Sequence, residues 1–133
     1  MNEAQQAKYL QWALLGVGAI FLFGIYPLSI VWPAGWTWHH GRSEYLEMII
    51  ALYATLGGFL LLASRKPGQH VSLISFTIWS SVAHGGVMAV QAIANPAHIG
   101  HLLGDVPALF LVAALLAWLC PRAFKLQFTP LSA

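Results

Sequence analysis

The chain has 133 residues, 59% of them hydrophobic and only 8% charged, with a formal net charge of +2. Soluble domains carry roughly 25% charged residues, so a water-soluble fold of this composition could not cover its own surface. A single cysteine, Cys120, excludes a disulfide framework, a CxxC redox pair and a cysteine-rich metal site within one chain. The few, scattered basic residues exclude a nucleic-acid partner.

Four apolar stretches follow one another at about Leu10–Val31, Tyr45–Ala63, Val71–Ala94 and Ile99–Cys120. Each approaches the ~20 residues that a helix needs to cross ~30 Å of hydrocarbon. The alternating pattern of membrane strands is missing, which argues against a β-barrel. The first stretch is too long for the core of a signal peptide and is flanked only by Lys8, so it reads as a retained helix. No internal repeat or soluble domain is left over. Residues 1–133 read as a single all-α integral membrane domain.

The connections suit hairpins. Residues 32–43 (WPAGWTWHHGRS) hold Pro33, two glycines and three tryptophans, as a loop in the membrane interface would. Residues 64–70 form a polar turn around Pro67-Gly68, and Asn95-Pro96 pairs a capping residue with a proline suited to the first helical position. Such short turns predict a four-helix up-down antiparallel bundle. Lys8, Arg65, Lys66, Arg122 and Lys125 then fall on one side and only Arg42 on the other. That bias puts both termini in the cytoplasm, and in a bacterium the other face in the periplasm.

Polar residues within the spans are costly unless they meet partners or water. Glu44 and Glu47 open the second span, His84 and Gln91 lie in the third, and His101 and Asp105 stand four residues apart in the fourth. Counting 1.5 Å per residue, His84 lies ~15 Å and Asp105 ~12 Å below the outer turn, with Glu47 and His101 about one turn in. Depth therefore pairs His84 with Asp105 and Glu47 with His101. On the third span Ser81, Gly85, Ala89 and Ala92 form a stripe of small residues suited to close packing, and Leu73 is placed facing lipid. Gly100 and Gly104 have GxxxG spacing, read as close packing only.

Each residue also has a plainer reading. Glu44 would offset a helix dipole, His84 could bond a backbone carbonyl, and Gln91 could join two helices. Asp105 could be an N-cap, since Asp105-Val106-Pro107 resembles a helix start; the 15 residues Val106–Cys120 would then be too short to span, unless the outer half were a broken, re-entrant segment. His39, His40 and His98 read as solvated, and Trp12, Trp32, Trp36, Trp38 and Trp118 as an aromatic belt that leaves Trp79 as the one deep indole.

Ser43-Glu44-Tyr45, Trp79-Ser80-Ser81 and Gly100-His101-Leu102-Leu103-Gly104-Asp105 resemble a family of small bacterial integral membrane proteins described only as a domain of unknown function. The resemblance covers about residues 32–120 and implies a bacterial source and four helices, but no activity.

Three functions fit these residues. Glu47, His84, His101 and Asp105, with Gln91 and Glu44 nearby, could hold a divalent metal or relay protons. Imidazole and carboxylate suit Zn²⁺, Mn²⁺ or Fe²⁺, and both groups transfer protons readily when desolvated. Haem between His84 and His101 is disfavoured by their difference in depth. An enzyme acting on a lipid-soluble substrate would need a general acid or base, but HExxH and GxSxG motifs are absent from the sequence. An accessory subunit of a larger complex, or a homo-oligomer among membrane lipids, would use the polar groups only to fix helix register. The metal or proton site is the expectation carried forward.

Overall fold

The computed structural model describes residues 1–125. It is all-helical, with no strand among the described residues. Four helices are long and apolar enough to cross a membrane: Glu3–Val31, Glu44–Ala63, Val71–Ala94 and the segment Pro96–Leu119.

Helix α1 (Glu3–Val31) starts at a capping box, in which Asn2 accepts from the Gln5 N–H at 2.8 Å and the Gln5 side chain accepts from the Asn2 N–H at 3.1 Å. A π turn over Ile20–Gly24 interrupts it just ahead of Pro27. Proline has no N–H for the carbonyl four residues back and its ring crowds that carbonyl, so a widened turn is the local accommodation. Leu10, Leu14, Val17 and Phe21 recur at helical spacing and make the buried face of α1.

A short helix α2 (Pro33–Trp36) follows Trp32. Helix α3 (Glu44–Ala63) is capped by the Ser43 hydroxyl, which accepts from the Leu46 N–H at 3.3 Å. Helix α4 (Val71–Ala94) buries Ser81, Gly85 and Ala92, the small-residue stripe. On the same helix Leu73 is half-buried against the core rather than turned outward, and the exposed large apolar positions are instead Phe76, Val82, Val87, Val90 and Ile93. The expected placement of Leu73 is therefore corrected. It is drawn inward because its turn of α4 packs beside Ile74, at the centre of the main core cluster.

The fourth apolar stretch is broken. Asn95 caps a 3-10 segment, Pro96–Leu102, by accepting from the Ala97 N–H at 3.0 Å. Helix α5 (Asp105–Leu119) begins afresh after Gly104, and a short α6 (Pro121–Lys125) follows. Asp105 is therefore not the N-cap of its plainer reading: Gly104 is the cap and Asp105 the first helical residue, its carboxylate turned to Trp38 and His101.

Helix α3 packs on α1, α1 on α5, and α5 most extensively on α4; no comparable contact joins α3 to α4. Gly18 and Gly57 bring the backbones of α1 and α3 together. Gly100 and Gly104 do the same for the broken stretch, but their partner is the α2 turn: a Cβ on Gly100 would lie 2.5 Å from the Ala34 carbonyl oxygen, and one on Gly104 would overlap that of Gly35. The 96–104 segment is thus seated on α2, and that seating positions the site.

Candidate functional site

Three segments bring the polar side chains together. Thr37 is extended, and its hydroxyl donates to the Ser29 carbonyl at 3.1 Å, which ties the loop after α2 back to α1. Trp38 is thereby directed over the 3-10 segment. Its ring stacks on His101 with centroids 3.9 Å apart and lies 4.9 Å from that of His98. Its indole Nε1–H donates to Asp105 Oδ2 at 3.0 Å. His101 Nδ1 lies 2.9 Å from the same oxygen and 3.0 Å from Oδ1. An ionised carboxylate can only accept, so Nδ1 is then the donor. His101 is 1% exposed and Asp105 7%.

The carboxylate is thus fixed from behind by two N–H donors, and it borders an open cleft of about 900 Å³ lined mostly by apolar side chains. Val17, Phe21 and Ile25 of α1, Ile49 and Ile50 of α3, and Leu109 and Val112 of α5 form much of its wall. Its polar lining includes Asp105, His84, Gln91, Tyr53, Ser80 and Trp36. Tyr53 stands edge-on to His84 (centroids 5.7 Å, 85°) and to Phe21 (5.0 Å, 89°). The Trp36 indole N–H is buried without a hydrogen-bond partner among the described residues.

The expected pairings are not the observed ones. Glu47 does not meet His101: its carboxylate accepts from Arg42 at 2.9 and 3.4 Å, with both side chains well exposed. Arg42 outside the spans is correspondingly raised above its ordinary pKa, first by that hydrogen bond and then by the charge of Glu47. His84 and Asp105 do border one cavity, but the bonds of Asp105 go to His101 and Trp38. The depth count assumed a continuous α-helix, whereas residues 96–102 rise as a 3-10 segment folded onto α2. Glu44 lies exposed in the first turn of α3, where it favours the helix dipole, and Gln91 reaches the cavity from an exposed position.

A metal held by all four residues does not fit this arrangement. Among the described residues no group of three or more His, Cys, Asp or Glu side chains is placed to hold an ion. Haem between His84 and His101 fits no better, because His101 is shut behind Asp105 and Trp38 and does not line the cavity.

Residues 4–131 match DUF6632, described as a family of unknown function. The chain belongs to that family. No curated protein and no solved structure matches it.

Sequence reasoning missed Trp36, Trp38 and Tyr53. For Tyr53 a signal was present, a phenol in the middle of an apolar span. For Trp38 there was none: an indole in a Trp-rich loop looks like any other interfacial tryptophan.

Proposed function

We propose that this DUF6632 chain is a multi-pass protein of a bacterial inner membrane that binds a lipid-soluble molecule within the bundle, with the molecule's polar head at Asp105. One observation carries the reading: an apolar cavity of about 900 Å³ ends in a carboxylate held by His101 and Trp38. Sites for small organic molecules are typically clefts of ~300–1,000 Å³, mainly apolar, with a few fixed polar groups.

Insertion in a bilayer is supported by the large apolar side chains left on the outside, among them Phe23, Leu52, Phe76, Val90 and Leu111. In water so many would form a standing aggregation surface. An up-down antiparallel course is supported by the Gly18–Gly57 approach and by Lys8 and Gln11 sharing a crevice with Ser64 and Arg65. The excess of basic residues at that end favours placing it, with both termini, in the cytoplasm. The cavity then opens toward the outer half of the membrane.

The test is to purify the protein in mild detergent and extract what accompanies it. Wild type should carry a small amphiphile at near-stoichiometric amounts, and Ala83→Trp, which puts an indole into the lining, should lose it. Identical lipid profiles in both proteins would overturn the reading.

A second reading gives the His101–Asp105 pair a proton to carry. It rests on the 2.9 Å contact, across which an imidazole that takes up a proton at Nε2 can hand its Nδ1 proton to the cavity-facing carboxylate, which then releases it to the cavity. Proton flux in sealed vesicles, abolished by His101→Ala, would support it; equal flux in both proteins would rule it out. As part of a larger membrane complex the chain would present the unpaired flanks of α3 and α4 to its neighbour.

A further inference from the structure

Among the described residues, Asp105 is the only Asp, Glu, Lys or Arg side chain that lines the cleft. Arg42 is paired with Glu47 on the exposed surface, and Lys8 and Arg65 line a separate crevice beside Ser64. Trp38 donates to Asp105 from an uncharged indole, and His101 stands behind the carboxylate without itself lining the cleft. Even an imidazolium there would leave the negative end of the pair turned toward the cleft.

The cleft also opens sideways. It lies between α3, which supplies Ile49 and Ile50, and α4, which supplies Ala83 and Val87, and these two helices make no contact comparable to those of their other neighbours. Ile49 is 38% exposed and Val87 58%, on flanks that meet lipid in the proposed membrane arrangement. An amphiphile entering between them would bring its head toward Asp105 and leave its tail among apolar side chains.

Resting on the proposed ligand cavity, we propose that its occupant is a cationic amphiphile, a lipophilic amine or quaternary ammonium, whose charged head lies against the Asp105 carboxylate. An ionised carboxylate in apolar surroundings is costly unless it is paired, and such a head supplies the opposite charge that the lining lacks. Phe21, Trp38 and Tyr53 line the same cleft, and aromatic rings attract cations where aliphatic walls do not. A neutral head would leave the carboxylate without a counter-ion. An anionic head would place a second negative charge beside it, in a setting where charges are weakly screened.

Native mass spectrometry of the purified protein in a non-ionic detergent provides the test, with dodecyltrimethylammonium, 2,2-dimethyltetradecane and dodecane-1-sulfonate as probes. The first two have the same shape and differ only in nitrogen or carbon at the head, and the third reverses the charge. His39 and His84 also line the cleft, so binding is measured at pH 8, above the ordinary histidine pKa of about 6.5. Wild type should bind the ammonium about tenfold or more tightly than the hydrocarbon, and the sulfonate most weakly, because only the first offers Asp105 an opposite charge. Asp105→Asn keeps the shape of the side chain and removes its charge, and should bring the ammonium down to the level of the hydrocarbon. The hydrocarbon asks nothing of that charge, so its unchanged binding shows that the variant cleft is intact; if it too is lost, the wild-type ranking decides alone. Equal binding of ammonium and hydrocarbon to wild type, or a preference for the sulfonate, would overturn the cation assignment and leave the cavity reading standing. An ammonium advantage that survives Asp105→Asn in an intact cleft would overturn the role of Asp105. Binding of none of the three would bring down the cavity reading as well.

Discussion

Gly57 of α3 lies against Gly18 of α1 so closely that a Cβ on Gly57 would stand 2.6 Å from the Gly18 carbonyl oxygen and 2.6 Å from the Leu22 nitrogen. Neither is the end of a flexible side chain, so neither can move aside without the backbone. Gly57→Ala should therefore cost about 1–3 kcal/mol through overpacking. The next residue is the control, since a Cβ on Gly58 meets nothing within 4 Å. Gly58→Ala should be neutral or stabilising, by up to ~1 kcal/mol from helix propensity. Thermal unfolding in detergent should rank Gly58→Ala above wild type or level with it, and Gly57→Ala well below.

A similar comparison applies to the small-residue face of α4. A Cβ on Gly85 would lie 3.3 Å from Leu109 Cβ and 3.5 Å from the Phe110 ring, so alanine would be a tight fit and leucine would not fit. Gly85→Leu should cost about 1–3 kcal/mol. Val90 is 69% exposed on the same helix, and Val90→Phe should stay within about 0.5 kcal/mol of wild type. If the two variants melt alike, the face of α4 that packs on α5 has been misassigned.

Stability should also report the His101–Asp105 pair as a unit. Truncating either partner leaves the other buried and short of a bond, so His101→Ala and Asp105→Asn should each destabilise by ~1–3 kcal/mol. Their double mutant should lose less than the sum, with a coupling of about 0.5–3 kcal/mol. Glu47→Gln is the counter-case. Its carboxylate is bonded to exposed Arg42, so this change should leave the melting temperature essentially unmoved and add simply to His101→Ala. Coupling between Glu47 and His101 would restore the pairing inferred from depth.

Trp38→Phe separates two contributions of one side chain. Phenylalanine keeps a ring to stack on His101 but removes the Nε1–H that reaches Asp105. The variant should lose about 1–3 kcal/mol, the usual cost of leaving a buried polar group short of a partner, and that loss should disappear in an Asp105→Leu background, where no acceptor remains. A loss of the same size in both backgrounds would assign Trp38 to packing alone.

Topology can be read by reporter fusions in a bacterial host. With both ends cytoplasmic, a fluorescent protein at the C-terminus should fluoresce and an alkaline phosphatase there should stay inactive. Phosphatase inserted after Gly41 should be active. An active C-terminal phosphatase would require an odd number of crossings.

The sequence by itself determined the helices. Their length, apolar content and turn chemistry are local properties: Asn95-Pro96 caps a segment, Ser43 caps α3, and the run Val71–Ala94 is helical throughout. The small face of α4 was legible for the same reason, because residues at helical spacing share a face whatever they pack against. The break before Asp105 was also visible as one of two readings. Which polar groups meet was decided only by the tertiary structure. Trp38 reaches Asp105 across 67 residues of chain because two glycines let residues 100–104 settle onto α2, and no periodicity encodes that contact. Glu47 was lost to Arg42 by an equally unforeseeable turn of the loop. Depth along a helix is additive and can be counted from sequence. The direction in which a buried side chain finds its partner depends on how two backbones approach, and that is a property of the packed molecule.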